Sequence, residues 1–126
     1  MSSLYINVTD RRPIWEQLTA QVKELVLCGA MAPGEQLPSV RTLAGELAIN
    51  PNTIQKAYAE LERCGVAYSV AGRGCFISQD PTGLFRENRE RIGDEARRLF
   101  SAGRDMGMDK GTFVCLLDDV YEEGKA

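Results

Sequence analysis

The chain has 126 residues, of which 44% are hydrophobic and 26% are charged, and its net charge is −3. This composition predicts a soluble globular protein made of one small domain plus an accessory region, and no apolar run approaches the ~20 residues needed to cross a bilayer. Because the N-terminus shows no charged-then-apolar signal, we expect a cytoplasmic protein that does not contact the membrane.

The charge is unevenly distributed along the chain. Residues 1–79 contain seven basic and seven acidic residues, whereas residues 80–126 contain eight basic and eleven acidic ones. The whole excess of negative charge therefore lies in the second part. The first part is the better candidate for a face that binds nucleic acid.

The first predicted helix runs from Pro13 to Cys28. Its apolar residues repeat at intervals of three and four, and a glycine ends the pattern. Pro33-Gly34 then predicts a turn. Gln36-Leu37 is predicted to form a very short strand that pairs with a later hairpin.

Two short amphipathic helices follow, joined by a tight connection. The second helix runs from Ser39, its N-cap, to Ala48, and the third has Asn50 as its N-cap and Pro51 at its first position. The third helix closes at Cys64-Gly65. Two such helices predict a helix-turn-helix, which places a helix N-terminus in the major groove of DNA.

A β-hairpin is predicted after these helices. Large and small residues alternate over residues 66–70, Gly72-Arg73-Gly74 turns the chain, and residues 75–78 form the returning strand. The hairpin makes the motif a winged helix-turn-helix. The predicted fold class is therefore mainly α with a small β-hairpin wing, and residues 1–79 form the DNA-binding domain.

Residues 80–126 are predicted to form a helical dimerisation region of two helices. The first runs from Pro81 to Ala102, with Gly103 and Gly107 breaking it, and carries apolar residues at intervals of seven, a repeat that is typical of helices with a partner helix. The last helix spans residues 110–123 and is capped by Asp109. Two helices alone cannot bury both apolar stripes, so we predict that they mediate dimerisation. The predicted contact residues are Phe85, Ile92, Leu99, Phe113, Leu116, Leu117 and Val120.

The candidate DNA-binding residues lie at the starts of the second and third helices and at the wing tip. Free amides at helix N-termini attract phosphate, asparagine and glutamine side chains can bond adenine bidentately, and glycines let the backbone approach DNA closely. The candidates are Ser39, Arg41, Asn50, Asn52, Thr53, Gln55, Lys56, Gly72, Arg73 and Gly74. For Asn50 we expect capping, with DNA contact as an addition, and an ordinary solvated charge is the alternative for Lys56.

The order of these motifs resembles the GntR family of bacterial transcription regulators. The matching segments are residues 13–18 (Pro-Ile-Trp-Glu-Gln-Leu), 33–41 (Pro-Gly-Glu-Gln-Leu-Pro-Ser-Val-Arg), 50–53 (Asn-Pro-Asn-Thr), 57–62 (Ala-Tyr-Ala-Glu-Leu-Glu) and 72–76 (Gly-Arg-Gly-Cys-Phe). The Asn-Pro-Asn-Thr form and the short helical tail resemble the YtrA subfamily.

This resemblance implies a dimeric repressor that binds a double-stranded DNA operator with an inverted repeat. The implied DNA contacts lie at Arg41, at the start of the third helix and at the wing tip. Similarity to YtrA-like members further implies control of transporter genes. Many relatives carry arginine in the recognition helix where this chain has Asn52 and Gln55, so the resemblance does not extend to the operator sequence.

The chain also limits where a regulatory signal can bind. Residues 81–126, 46 in all, are too few to enclose a metabolite-sized cavity within one subunit. Two alternatives stay open: a small-molecule effector at the dimer interface, or none. No metal or cofactor is expected, because the chain has no histidine and no Cys-x-x-Cys pair.

The sequence leaves two other classes of function open. The first alternative is a thiol-based redox sensor that uses Cys75 or Cys115, and the second is a winged helix that binds protein and not DNA. The four cysteines are otherwise expected to be reduced and mostly buried. An enzyme is not predicted, since no nucleophile motif, phosphate-binding loop or pair of facing carboxylates is present.

Overall fold

The computed structural model describes residues 4–124, and its helices and strands follow the predicted order. Within these residues the elements are α1 (Ile14–Leu27), α2 (Val40–Leu47), α3 (Pro51–Arg63), β1 (Ala67–Val70), β2 (Gly74–Ile77), α4 (Thr82–Asp105) and α5 (Lys110–Glu123). The predicted fold class, mainly α with a two-stranded hairpin, is confirmed.

The chain divides into two compact units after Phe85. The predicted domain boundary between residues 79 and 80 stays a prediction. Leu84, at the start of α4, packs against the hydrophobic core of the first unit. That core is formed by α1, α2, α3 and the hairpin. Its most deeply buried large side chains are those of Leu18, Val22, Leu43, Ile54, Leu61, Val66 and Ile77. Burial of each such side chain stabilises the fold by about 1.5–3 kcal/mol.

The helix-turn-helix is formed by α2 and α3, and side chains cap both helices as predicted. Ser39 Oγ accepts a 3.1 Å hydrogen bond from the Thr42 amide, and Asn50 Oδ1 accepts one of 2.9 Å from the Asn52 amide. Between the two helices, Ala48 adopts a left-handed conformation with φ of 55°. This turn sets the direction in which α3 leaves α2.

The hairpin gains a third, very short strand from the linker before α2. The two strands of the hairpin pair antiparallel, with Tyr68 opposite Phe76, and Gln36 pairs with Phe76 on the other edge of β2. The Leu37 amide donates to the Cys75 carbonyl at 2.8 Å. The predicted pairing of Gln36-Leu37 with the wing is confirmed.

The second unit contains most of α4 and all of α5. The prediction that Gly103 breaks the first of these helices is wrong, because α4 continues through Gly103 to Asp105. Gly103 is buried under the ring of Phe113, and any added Cβ would overlap that ring. The helix ends at Asp105. Gly107 follows with a φ of 92°, and the Met108 amide donates to the Gly103 carbonyl at 2.9 Å, as in a Schellman motif.

The structure describes the helices of residues 4–124, and a helix that crosses a bilayer must be both long and predominantly apolar. None of the helices in this part of the chain is both long enough and apolar enough to cross a membrane.

Candidate nucleic-acid interface

One side of α3 faces the core and the other side faces solvent. Ile54, Ala57, Tyr58 and Leu61 are buried, whereas Asn52, Gln55 and Lys56 are exposed and Thr53 is half-buried. The exposed residues therefore stand near the N-terminus of a capped helix. This is the arrangement through which a recognition helix presents side chains and amides to DNA.

Tyr58 connects α3 to the start of α2. Its hydroxyl donates a 2.7 Å hydrogen bond to the Pro38 carbonyl, one residue before the N-cap of α2. Burial raises the pKa of Tyr58, so the phenol keeps the proton that it donates. This bond fixes the spacing between α2 and α3. Tyr58 therefore belongs to the core and not to an exposed surface on which DNA bases could stack.

A groove of about 480 Å³ lies between the start of α2, α3 and the wing. Five of the ten candidate DNA-binding residues line it: Ser39, Gln55, Gly72, Arg73 and Gly74. The other five, Arg41, Asn50, Asn52, Thr53 and Lys56, are not among its lining residues. The structure thus brings the wing tip and the recognition helix to one groove, with Ser39 at its edge.

Both arginines among the candidate residues provide positive charge at this site. Arg41 and Arg73 are exposed, and neither belongs to the ion pairs found within residues 4–124. Both guanidinium groups are therefore available for phosphate or a base edge. Lys56 is exposed, and its ammonium lies 4.7 Å from the centre of the Trp15 ring. Such a cation–π contact restrains the charge at the surface.

One acidic side chain also lines the groove. Glu62 accepts a hydrogen bond from the Ser69 hydroxyl, which ties the end of α3 to β1. The carboxylate remains exposed and disfavours phosphate in its immediate vicinity. The attraction for DNA must therefore come from the wing tip and the helix N-termini, away from Glu62.

The cysteines differ from the prediction that they are mostly buried. Cys28, Cys64 and Cys115 are exposed and only Cys75 is buried, and none of the four forms a disulfide. Burial raises the pKa of the Cys75 thiol and so disfavours the reactive thiolate. A redox switch at Cys75 is therefore disfavoured, and the exposed Cys115 is the other cysteine of that alternative.

The predicted dimerisation residues are mostly exposed in the single chain. The exposed fraction is 70% for Leu99, 52% for Leu116 and 62% for Val120, and Phe85, Ile92 and Leu117 are likewise exposed. Phe113 is different, because its ring packs edge-on against Phe100 with 5.0 Å between the centroids. Phe113 thus holds α4 and α5 together within one chain.

Sequence reasoning did not assign a role at the site to Gln36 or Trp15, which both contact candidate residues. Gln36 Nε2 donates to the Arg73 carbonyl at 2.8 Å, and Trp15 lies under Lys56. The predicted pairing of residues 36–37 with the wing was the available signal for Gln36. No signal in the sequence connected Trp15 with Lys56, because α1 and α3 are brought together only by tertiary packing.

The chain is similar to known bacterial regulatory proteins. The family model of bacterial regulatory proteins of the gntR family matches residues 15–77. The HTH-type transcriptional regulator Rv1152 of Mycobacterium tuberculosis is 42% identical over 121 residues, which is 95% of each chain. The HTH-type transcriptional repressor YtrA of Bacillus subtilis is 49% identical over 77 residues, or 61% of this chain and 59% of that repressor. The alignment thus spans little more than half of the YtrA length.

Solved structures agree with these sequence matches. A transcriptional regulator from Oenococcus oeni superposes with a TM-score of 0.76 at 28% identity, covering 96% of this chain and 99% of that one. The DNA-binding domain of AraR, solved in complex with operator ORE1, superposes with a TM-score of 0.52 at 25% identity. That match covers 58% of this chain and 89% of the AraR domain.

Proposed function

The chain belongs to the GntR family of bacterial regulatory proteins, and on this premise we propose that it is a dimeric repressor of an inverted-repeat operator. As a YtrA-like member it is a DNA-binding transcriptional regulator and not an enzyme. The proposed repressor works in the cytoplasm, where a bacterial chromosome is accessible. The competing idea of a winged helix that binds only protein has no observation in its favour.

The observation that carries the proposal is the groove shared by the recognition helix and the wing tip. It combines Gln55, which can read a base edge, with Arg73, which can neutralise a phosphate or enter a minor groove. Arg41, Asn50, Asn52, Thr53 and Lys56 extend the proposed contact surface along the starts of α2 and α3. In this assignment Ser39 and Asn50 contribute mainly as caps, since their side-chain oxygens already accept helix amides.

The proposed dimer is formed by the exposed apolar residues of α4 and α5. Phe85, Ile92 and Leu99 recur every seven residues along α4, and Leu116, Leu117 and Val120 of α5 are at least half exposed. Covering such residues with a second copy removes apolar surface from water. A two-fold dimer presents two recognition helices, so its half-sites should lie ~34 Å or ~10 base pairs apart, or a multiple of that spacing.

A spacer experiment tests the two-fold arrangement on an operator recovered from genomic DNA. Inserting ~5 base pairs between the half-sites turns them to opposite faces of the duplex and should abolish tight binding. A full-turn insertion serves as the matched control and should weaken binding less. Equal footprints on both spacer variants would contradict the two-fold dimer.

The regulated genes and the effector complete the proposal. YtrA-like regulators suggest transporter genes as targets, and an operator found in the promoter of an unrelated gene set would contradict this part. For an effector, α4 and α5 offer an open cleft of about 440 Å³, which one chain does not enclose, between apolar side chains that include Phe100 and Phe113, with Arg104 and Lys110 in its lining. An apolar molecule with an anionic group fits that lining. Titration with decanoate should raise the melting temperature, and an unchanged melting temperature would exclude this class.

A further inference from the structure

The side chain of Gln36 reaches from the linker before α2 to the tip of the wing. Its Nε2 atom donates a 2.8 Å hydrogen bond to the backbone carbonyl of Arg73, which lies 37 residues later in the chain. The backbone of Gln36 is itself held on β2 by the bridge to Phe76. The neighbouring Leu37 is buried in the core, so the amide group extends from a fixed point.

The wing tip is shaped to accept this amide. Gly74 has a φ of 115°, and a Cβ at this position would lie 2.9 Å from Gln36 Nε2. Gly72 also adopts a positive φ, of 76°. Arg73 therefore sits between two glycines that both have positive φ. The bond from Gln36 and that from the Arg73 amide to the Val70 carbonyl both restrain its peptide groups.

The same linker also determines where α2 begins. Two residues after Gln36, the Pro38 carbonyl accepts the Tyr58 hydroxyl, and Ser39 then caps α2. Pro38 and Ser39 both line the groove together with the wing tip. One short segment thus sets the position of both the α2 wall and the wing wall of the groove.

We propose that Gln36 is a positioning residue for DNA binding, which fixes the Arg73 carbonyl and thereby aims the Arg73 guanidinium at the duplex. This inference rests on the proposed contact between Arg73 and DNA. Without the Gln36 bond the glycine-flanked tip samples more conformations, and that freedom must be lost when DNA binds. Gln36 needs no contact with DNA to exert this effect.

A double-mutant cycle on the full chain tests the coupling. Gln36→Met keeps the length of the side chain but removes the donor, and Arg73→Ala removes the guanidinium. With a mixed-sequence duplex as the probe, Gln36→Met should weaken binding about two- to tenfold, the range of one hydrogen bond. In the Arg73→Ala background it should cause no further loss. Gln79→Ala is the matched control, since Gln79 bonds the Tyr68 hydroxyl and not the tip, and it should leave binding unchanged.

A second measurement works without DNA. Backbone 15N relaxation should show faster motion at the amides of Arg73 and Gly74 in Gln36→Met than in the parent chain. Unchanged relaxation at these amides, or additive losses in the cycle, would overturn the inference while leaving the proposed function intact. If Arg73→Ala did not weaken binding, the proposed contact of Arg73 with DNA would be wrong, and so would the inference about Gln36. Failure of the parent chain to bind any duplex would instead overturn the proposed function.

Discussion

The winged helix and the helical pair treat apolar side chains in opposite ways. In the first unit, Leu18, Leu43, Ile54, Leu61 and Ile77 are at most 1% exposed. Among the described residues of the second unit, 86–124, only Gly103 is buried. The comparison indicates that the winged helix completes its core within one chain. The helical pair carries apolar surface that a second copy is proposed to cover.

The largest expected effect concerns α5. Leu117→Asp puts a carboxylate in place of an apolar side chain that is 51% exposed in the single chain. The charge should prevent dimerisation, and because the position is exposed it should not unfold the chain. Affinity for an inverted repeat should then fall about a hundredfold or more, because two linked half-sites bind far more tightly than one. Sedimentation velocity and fluorescence anisotropy measure the two effects.

Phe113→Ala is the informative contrast to Leu117→Asp. Phe113 packs on Phe100 within the chain, so this change should lower the free energy of unfolding of the helical pair, by about 1–3 kcal/mol for a half-buried ring. Thermal unfolding followed by circular dichroism measures the loss. A Leu117→Asp chain that still sediments as a dimer would remove α5 from the interface.

Asn52→Ala should have a smaller and base-specific effect. If Asn52 bonds a base edge bidentately, its loss should reduce discrimination at one base pair of each half-site by about 1–3 kcal/mol. The measurement is a base-substitution profile of the operator. Asn88→Ala on α4, outside the winged-helix core, is the matched control and should leave the profile as it was. If Asn52→Ala gave the same base-substitution profile as the parent chain, the recognition residues would be assigned wrongly.

Arg73→Ala should weaken binding to all sequences to a similar degree. Loss of one phosphate contact should lower the slope of log affinity against log salt by about 1. Arg63→Ala serves as the control, because Arg63 lies at the end of α3 and pairs with Glu60 at 2.5 Å. An unchanged slope for Arg73→Ala, or an equal decrease for both variants, would contradict a specific role of the wing tip.

The smallest effect is expected from thiol chemistry. Burial raises the pKa of Cys75, so this thiol should react much more slowly with a disulfide reagent than the exposed Cys115. Mild oxidation should leave the affinity for DNA unchanged. A loss of affinity that follows modification of Cys75 and is absent in Cys75→Ser would restore the redox-sensor alternative.

Much of the winged helix was predictable because local signals and the apolar pattern agree there. Ser39 and Asn50 are both N-caps in the structure, as expected. The prediction that Gly103 breaks α4 was wrong because the role of this glycine depends on Phe113, a tertiary neighbour that no local pattern reveals. The Lys56–Trp15 contact was out of reach for the same reason. The exposed cysteines show that residue type alone predicts burial poorly at helix ends and on an unpartnered helix.

The most direct test of the account compares two forms of the chain in a selection of genomic DNA fragments. The full chain should enrich inverted repeats whose half-sites are separated by ~10 base pairs or a multiple of that. A chain truncated after Phe85, where the first compact unit ends, should retain the winged helix and enrich only single half-sites, weakly. The central claim is that the helical pair joins two winged-helix domains. It would be contradicted if both forms recovered the same single half-sites with equal efficiency.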